Sequence, residues 1–461
     1  MGTFAFRNPS ELPAGWAEAL AGAWLTNGYD HWPVPTERTT NEDFFQLERK
    51  TKESAMLSLL VPDKFGKRTI TTSTLRPNAE PYQVPIELAR GVLNRLRNLA
   101  QAVGSAGVTF PAELGEQIRK CTREFGNAIS ASGPEQELGC IATIGEALAA
   151  SDAAMNFLAE QRLQIRLETP PGISTKFGCA LKEPLAPEES VAFCELFNAV
   201  KIVPNWRSIE PVEAQFDWSA LDRLVEWAVS QRLAITLGPI IDFHARCLPA
   251  WLRGQHDLPL LAAFMDDFIG TVVTRYRRSV SSFQLFAEMN SREEFDLIED
   301  DRLRLAARLL ESAAQIDSNI RWSYALHEPF GDYLCQEHNN YSPLVFADTL
   351  LRSGHEVAAV ALDFGTGHPH DALDMLPLMD NFASIVTKLE IELGRNTAAG
   401  SHGMDLTTLR TALSCNYVEA ITWQCWSRNP LGGTAVLFDP ESNSTTALWA
   451  ELRTLRSRWY P

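Results

Sequence analysis

Phe283-Gln-Leu-Phe-Ala-Glu-Met-Asn290 is a short apolar run that ends in a carboxylate and an amide. Read as a buried strand, Phe283 to Ala287 delivers Glu288 to the mouth of a sheet. This reading decides the fold, because the chain on both sides repeats the pattern at the interval of a strand plus a helix.

Upstream, Phe177 to Leu181, Ala199 to Val203 and Leu233 to Ile241 read as three earlier strands. The helical spacing of Pro187 to Phe197, Ser219 to Gln231 and Leu258 to Arg278 fills the intervals. Downstream, Arg302 to Ile316 and Ser342 to Ser353 read as helices. Arg321 to Leu326, Val357 to Phe364, Leu389 to Leu393 and Val418 to Trp423 make strands five to eight, and Thr445 to Arg458 closes with a helix. Eight strand-then-helix units in this span are what an α/β protein of the (β/α)8 TIM-barrel class requires. A doubly wound open sheet is the alternative, but no GxGxxG loop accompanies it.

The barrel reading covers residues 171–461, after the linker-like Thr169-Pro-Pro-Gly172. Residues 1–80 are rich in Pro, Thr and aromatics, and Arg68 to Leu75 favours a strand. An N-terminal β-rich domain is expected there. Trp16, Trp24 and Trp32 would be its core, or, alternatively, a sugar-binding face. Residues 81–170 carry helical periodicity at Ile86 to Leu99, Pro111 to Ile129 and Glu135 to Leu167, and form a helical bridge.

The chain has 461 residues, with 45% hydrophobic and 21% charged residues and a net charge of −17. Two or three soluble domains fit that length. The negative balance argues against nucleic acid or an acidic membrane surface as a partner. No run of 18 apolar residues is present, and no basic segment precedes an apolar core at the N-terminus. Cytoplasmic residence is therefore expected. The eight cysteines form no CxxC pair, so free thiols are expected rather than a zinc site or a disulfide framework. Asp363 to His370 holds an Asp and two His, but loop histidines are common without a metal, and no metal or cofactor is assigned.

The barrel portion resembles glycoside hydrolase family 10, the endo-β-1,4-xylanases. Phe197-Asn-Ala-Val200 and Trp206-Arg-Ser-Ile-Glu-Pro211 are similar to the family's second-strand segment, and Phe216 to Asp222 continues it. Gly238 to Leu252 resembles GHTLVWHSQLPxWL with one residue inserted, and its Leu-Pro-Ala-Trp-Leu252 carries the most specific match. Ala287-Glu288 stands at the family's Asn-Glu acid/base, Ile391-Glu-Leu393 at its nucleophile segment, and Ile421-Thr-Trp423 and Val436 to Asp439 at its closing segments. The departures are Ala287 for Asn, Asn205 for Lys, Pro239 for the first His, a missing Glu-Asn pair, and a one-residue shift at the nucleophile.

Retaining glycoside hydrolysis needs an acid that protonates the leaving oxygen and a carboxylate that attacks the anomeric carbon. The resemblance implies Glu288 as acid/base. Glu392 or Glu390 would be the nucleophile; the two share one strand face, and Glu392 lies nearer the carboxyl end. Simple salt bridges, Glu288 with Arg292 and Glu392 with Lys388 or Arg395, are the competing readings. Asn205, Trp206, His244, Arg246, Asn290, Glu390, Trp423 and Trp426 are the candidate substrate-binding residues. The expectation is a hydrolase of a β-linked, xylan-like polysaccharide with a carbohydrate as partner. The alternatives are a catalytically inactive, carbohydrate-binding or scaffold barrel, and a lyase or aldolase using Lys201.

Overall fold

The computed structural model of the chain describes residues 1–461 apart from 28–30, 42, 292–293, 318, 336–338, 356, 366, 396–401, 428–434 and 461. Eight parallel strands close into a ring in the order in which they occur: Lys176–Leu181, Ala199–Ile202, Ala234–Leu237, Ser282–Gln284, Arg321–His327, Ala359–Asp363, Leu389–Leu393 and Val418–Trp423. The last pairs with the first, Trp423 opposite Cys179, so no sheet edge remains and the open-sheet alternative is excluded. Leu389–Leu393 and Val418–Trp423 begin and end as the sequence predicts.

Strands three and four differ from the prediction in a way that shapes the site. Each is interrupted. After Leu237 the chain turns at Gly238, whose φ is +148° and where a Cβ would lie 2.2 Å from the Gln284 carbonyl oxygen. Only glycine permits that approach. Beyond the break, Ile241–Asp242 pairs with Phe286–Ala287 as a two-stranded rim outside the ring. The rim sets Asp242 beside Ala287 and Glu288 at the lip of the barrel.

Two barrel helices, Ala372–Ala383 and His402–Ser414, are not announced by the sequence pattern. Pro377 lies within the first. The second buries threonines (Thr407, Thr408 and Thr411) as well as Leu406, Leu409 and Leu413, so it has no clean polar face.

The first 83 residues form two four-stranded sheets, with one short helix, Trp16–Ala21, between strands. In Phe44–Arg49 burial alternates, with Phe45 and Leu47 inward, the period of a strand with one covered face. The predicted strand at Arg68 to Leu75 is Gly66–Thr71, and Leu75 bonds back to Ala55. Trp16 is core, whereas Trp24 and Trp32 are half-buried against barrel loops: Trp24 lies near the His368 ring, and Trp32 covers Gly331.

Three helices follow, Val84–Ser105, Ala112–Ser130 and Pro134–Glu168. By length and composition the last could cross a membrane. In the fold it is a central helix whose Ile144, Leu148, Ala154 and Met155 are buried in the same cluster as Leu88, Val92 and Leu96. Buried polar contacts tie these layers together. Arg68, fully buried, binds Asp152 through two bonds of 2.9 and 3.0 Å and pairs with Asp63, while the Thr69 amide donates to the Pro369 carbonyl of the barrel at 2.6 Å. All eight cysteines are free thiols, although Cys335 is exposed.

Candidate active site

A cavity of about 880 Å³ opens at the carboxyl ends of the barrel strands, the end at which barrel chemistry is assembled. Its wall includes Glu288 from the rim of strand four and Glu392 from strand seven, across the ring. Both side chains are nearly enclosed; the residues are 7% and 3% exposed. Of the other candidates, Asn205, His244, Arg246 and Trp426 also border this space.

Strand parity aims Glu390 and Glu392 at the barrel axis, as predicted, but their surroundings differ. Glu390 lies deeper and does not border the cavity; its neighbour is the Ser323 hydroxyl at 3.4 Å. Burial pushes its carboxyl up to about 7, with Lys201 opposing and Glu392 reinforcing the shift. Glu392 is held by three donors. Lys201 Nζ lies 2.5 Å and Gln284 Nε2 3.0 Å from Oε1, and Gln424 Nε2 donates to Oε2. The predicted rim salt bridge to Lys388 or Arg395 is replaced: Lys388 bonds the Asn416 carbonyl, and Arg395 Nη1 lies 3.5 Å from Asp363. Lys201 is thus half of a buried ion pair rather than a free amine.

Glu288 takes a left-handed backbone conformation, φ +66°, which costs a non-glycine residue about 1 kcal/mol. Tertiary pairing of the rim overrides that preference. The competing partner, Arg292, lies outside the described residues. Asp242, one strand over, also faces the cavity; burial, then the charge of Glu288, raises its carboxyl above the usual range. Arg395 sits among these acids. Burial works against its charge, but Asp363, Glu392, Glu288 and Asp242 outweigh that cost. Cys247 also borders the cavity, but burial and Asp242 push its thiol up to about 12, so it carries no thiolate.

Four candidate ligand residues lie elsewhere. Glu390 is the first, below the cavity floor. Trp206 is 2% exposed, stacks on Phe268 with ring centres 4.5 Å apart, and donates to Glu210 at 2.7 Å. It opens a short helix, Trp206–Ile209, that drives the indole into the outer layer. Trp423 is fully buried and donates to the Ala435 carbonyl. Thr422 is registered with Glu392, so Thr422 faces the axis and Trp423 the opposite side. Asn290 is buried and clamps the backbone of His327, accepting from its amide at 3.0 Å and donating to its carbonyl at 2.9 Å. Of the candidate aromatic and basic residues, Trp426, His244 and Arg246 border the cavity, and Trp206 and Trp423 do not.

In Asp363 to His370 the three tempting ligands diverge. Asp363 turns to Arg395, whereas His370 Nε2 lies 3.2 Å from Asp332 with its ring stacked on Phe330, and His368 gives only its amide to Asp332. Residues that the sequence reading passed over are Asp242, Gln284, His327 and Gln424. His327 and Gln424 carry the same mark as Glu288, a polar residue where an apolar strand ends.

Residues 175–304 match the family model described as Glycosyl hydrolase family 10. Among solved structures, xylanase 10B from Thermotoga maritima is 16% identical with a TM-score of 0.49, over 66% of this chain and 98% of that one. Xylanase 10B from Thermotoga petrophila RKU-1, solved with xylobiose, is 15% identical with a TM-score of 0.49, over 66% and 97%. An endo-1,4-beta-xylanase from Caldicellulosiruptor owensensis is 15% identical with a TM-score of 0.48, over 63% and 98%. The closed strand order, not these likenesses, establishes the barrel. The family match thus runs across the first four strands of this closed barrel.

Proposed function

We propose that the cavity hydrolyses a β-linked, xylan-like polysaccharide with retention, Glu288 acting as acid/base and Glu392 as nucleophile. The observation that carries this reading is that two enclosed carboxyl groups, from strands on opposite sides of a closed ring, border one sugar-sized cavity. Glu288 would protonate the leaving oxygen while an oxygen of Glu392 attacks the anomeric carbon; water, deprotonated by Glu288, then releases the sugar. Lys201, Gln284 and Gln424 hold Glu392 in place through hydrogen bonds to its two oxygens. Asn205, His244, Arg246 and Trp426 are the groups placed to bind sugar hydroxyls and ring faces.

One observation favours a second reading, a barrel that binds carbohydrate without cleaving it. Both oxygens of Glu392 already accept hydrogen bonds, one of them from a cation, and this lowers the nucleophilicity of the carboxylate. Release of nitrophenol from nitrophenyl β-xylobioside separates the two readings. Hydrolysis by the wild type that falls by roughly 1000-fold or more in both Glu288→Gln and Glu392→Gln supports the enzyme. Background rates in all three, with xylo-oligosaccharide binding retained, would establish the binding protein.

A further inference from the structure

His327 ends the fifth barrel strand, and it is held more firmly than a bystander needs to be. Asn290 bonds both its amide and its carbonyl, and the Ser291 hydroxyl lies 3.0 Å from Nδ1. The residue is only 5% exposed, yet its ring borders the cavity. Nε2 has no hydrogen-bond partner among the described residues, and the nearest acid, Glu288 Oε1, is 4.0 Å away. A buried polar atom without a partner is costly and marks a group that meets its partner only in a bound state. The charged groups around the ring are Glu288 on the Nε2 side, Glu328 3.7 Å from Nδ1, and Asp363 opposite in the strand register; Asp242 and Arg395 lie beyond Glu288.

We propose that His327 is a positioning residue for proton transfer, donating from Nε2–H to Glu288 as that carboxyl loses its proton. This rests on Glu288 being the acid of a retaining hydrolase. In the glycosylation step the bond from the anomeric carbon to the leaving oxygen breaks, its electron pair stays with that oxygen, and the Glu288 proton follows. An oxygen of Glu392 forms the new bond to the anomeric carbon. Negative charge then appears on Glu288, and a small ring movement closes 4.0 Å to hydrogen-bond range; His327 keeps its proton throughout. In this arrangement the Ser291 hydroxyl, 3.0 Å from Nδ1, serves as donor, and the ring hydrogen sits on Nε2. The same geometry lets one leaving-group oxygen, roughly 2.8 Å from each, touch both Nε2 and Oε1 in the ground state.

The test compares phenyl β-xylobioside, whose phenolate leaves poorly without a proton, with the dinitrophenyl analogue, which leaves unaided. For His327→Phe we expect kcat on the phenyl substrate to fall on the order of 100-fold, and on the dinitrophenyl substrate by less than about 5-fold. The same ratio is measured on His327→Leu, so that one variant's failure to fold does not decide the matter. His327→Gln, which keeps an N–H donor, should restore most of the phenyl rate. Equal losses on both substrates, or no rescue by Gln, would overturn the proposal. A wild type that cleaves neither substrate overturns the hydrolase reading first, and that result is visible without any variant.

Discussion

Lys201 Nζ lies 2.5 Å from Glu392 Oε1 in a pair that is 5% and 4% exposed, joining the second barrel strand to the seventh across the axis. Charges this deep gain little net stability from pairing, because their lost hydration offsets the attraction; removing one partner strands the other. Lys201→Met should therefore destabilise the fold by about 3–5 kcal/mol. Lys201→Met combined with Glu392→Leu should recover most of that loss. Denaturant unfolding of the two singles and the double checks it, and strictly additive effects would refute the coupling.

Glu390 supplies a pH signature. Its folded pKa, raised to about 7 by burial, exceeds that of the unfolded chain, so the folded state holds the extra proton. Stability from this group is full below the unfolded carboxylate range, near 4.5, and is lost as pH climbs through 7. Glu390→Gln removes the dependence. The melting temperature of the variant relative to the wild type should rise between pH 5 and 8, by the equivalent of roughly 3 kcal/mol. A constant difference across that interval would contradict the assignment.

Trp206 and Arg246 should separate stability from binding. Trp206→Ala empties a stacked, buried site against Phe268 and should cost about 3–5 kcal/mol, while leaving the KM of the folded enzyme unchanged. Arg246→Ala, at an exposed position on the cavity, should change stability by no more than about 0.5 kcal/mol and weaken oligosaccharide binding severalfold. Melting curves alongside titration calorimetry read both, and a Trp206 effect confined to binding would reverse the placement.

Gly238→Ala probes the break in the third strand. The new Cβ would meet the Gln284 carbonyl, and Gln284 is the residue whose side chain orients Glu392. Loss of kcat with little change in KM, accompanied by a lower melting temperature, is the expected result. Wild-type stability in this variant would show that the close approach is not required.

The barrel was legible because its causes are local. Runs such as Leu389–Leu393 and Val418–Trp423 carry their own period and length, and segments such as Ser219–Ser230 and Leu258–Tyr276 carry the helical spacing. Glycine and proline at 238 and 239 signal a turn, yet nothing local says that Ile241–Asp242 will re-pair with Phe286–Ala287. The helix His402–Ser414 escaped notice because burial on several sides removes the polar face by which helices are recognised.

By itself the sequence determined the ring of strands, the carboxyl-end positions of Glu288 and Glu392, and the shared face of Glu390 and Glu392, since strand parity and strand length are properties of a few neighbouring residues. Only the tertiary structure decided that Glu392 meets Lys201, that Trp206 and Trp423 face away from the cavity, and that His327 stands 4.0 Å from Glu288. Those are relations between strands far apart in the chain. They depend on register and closure, which fix the direction of a side chain only after every strand has found its neighbour.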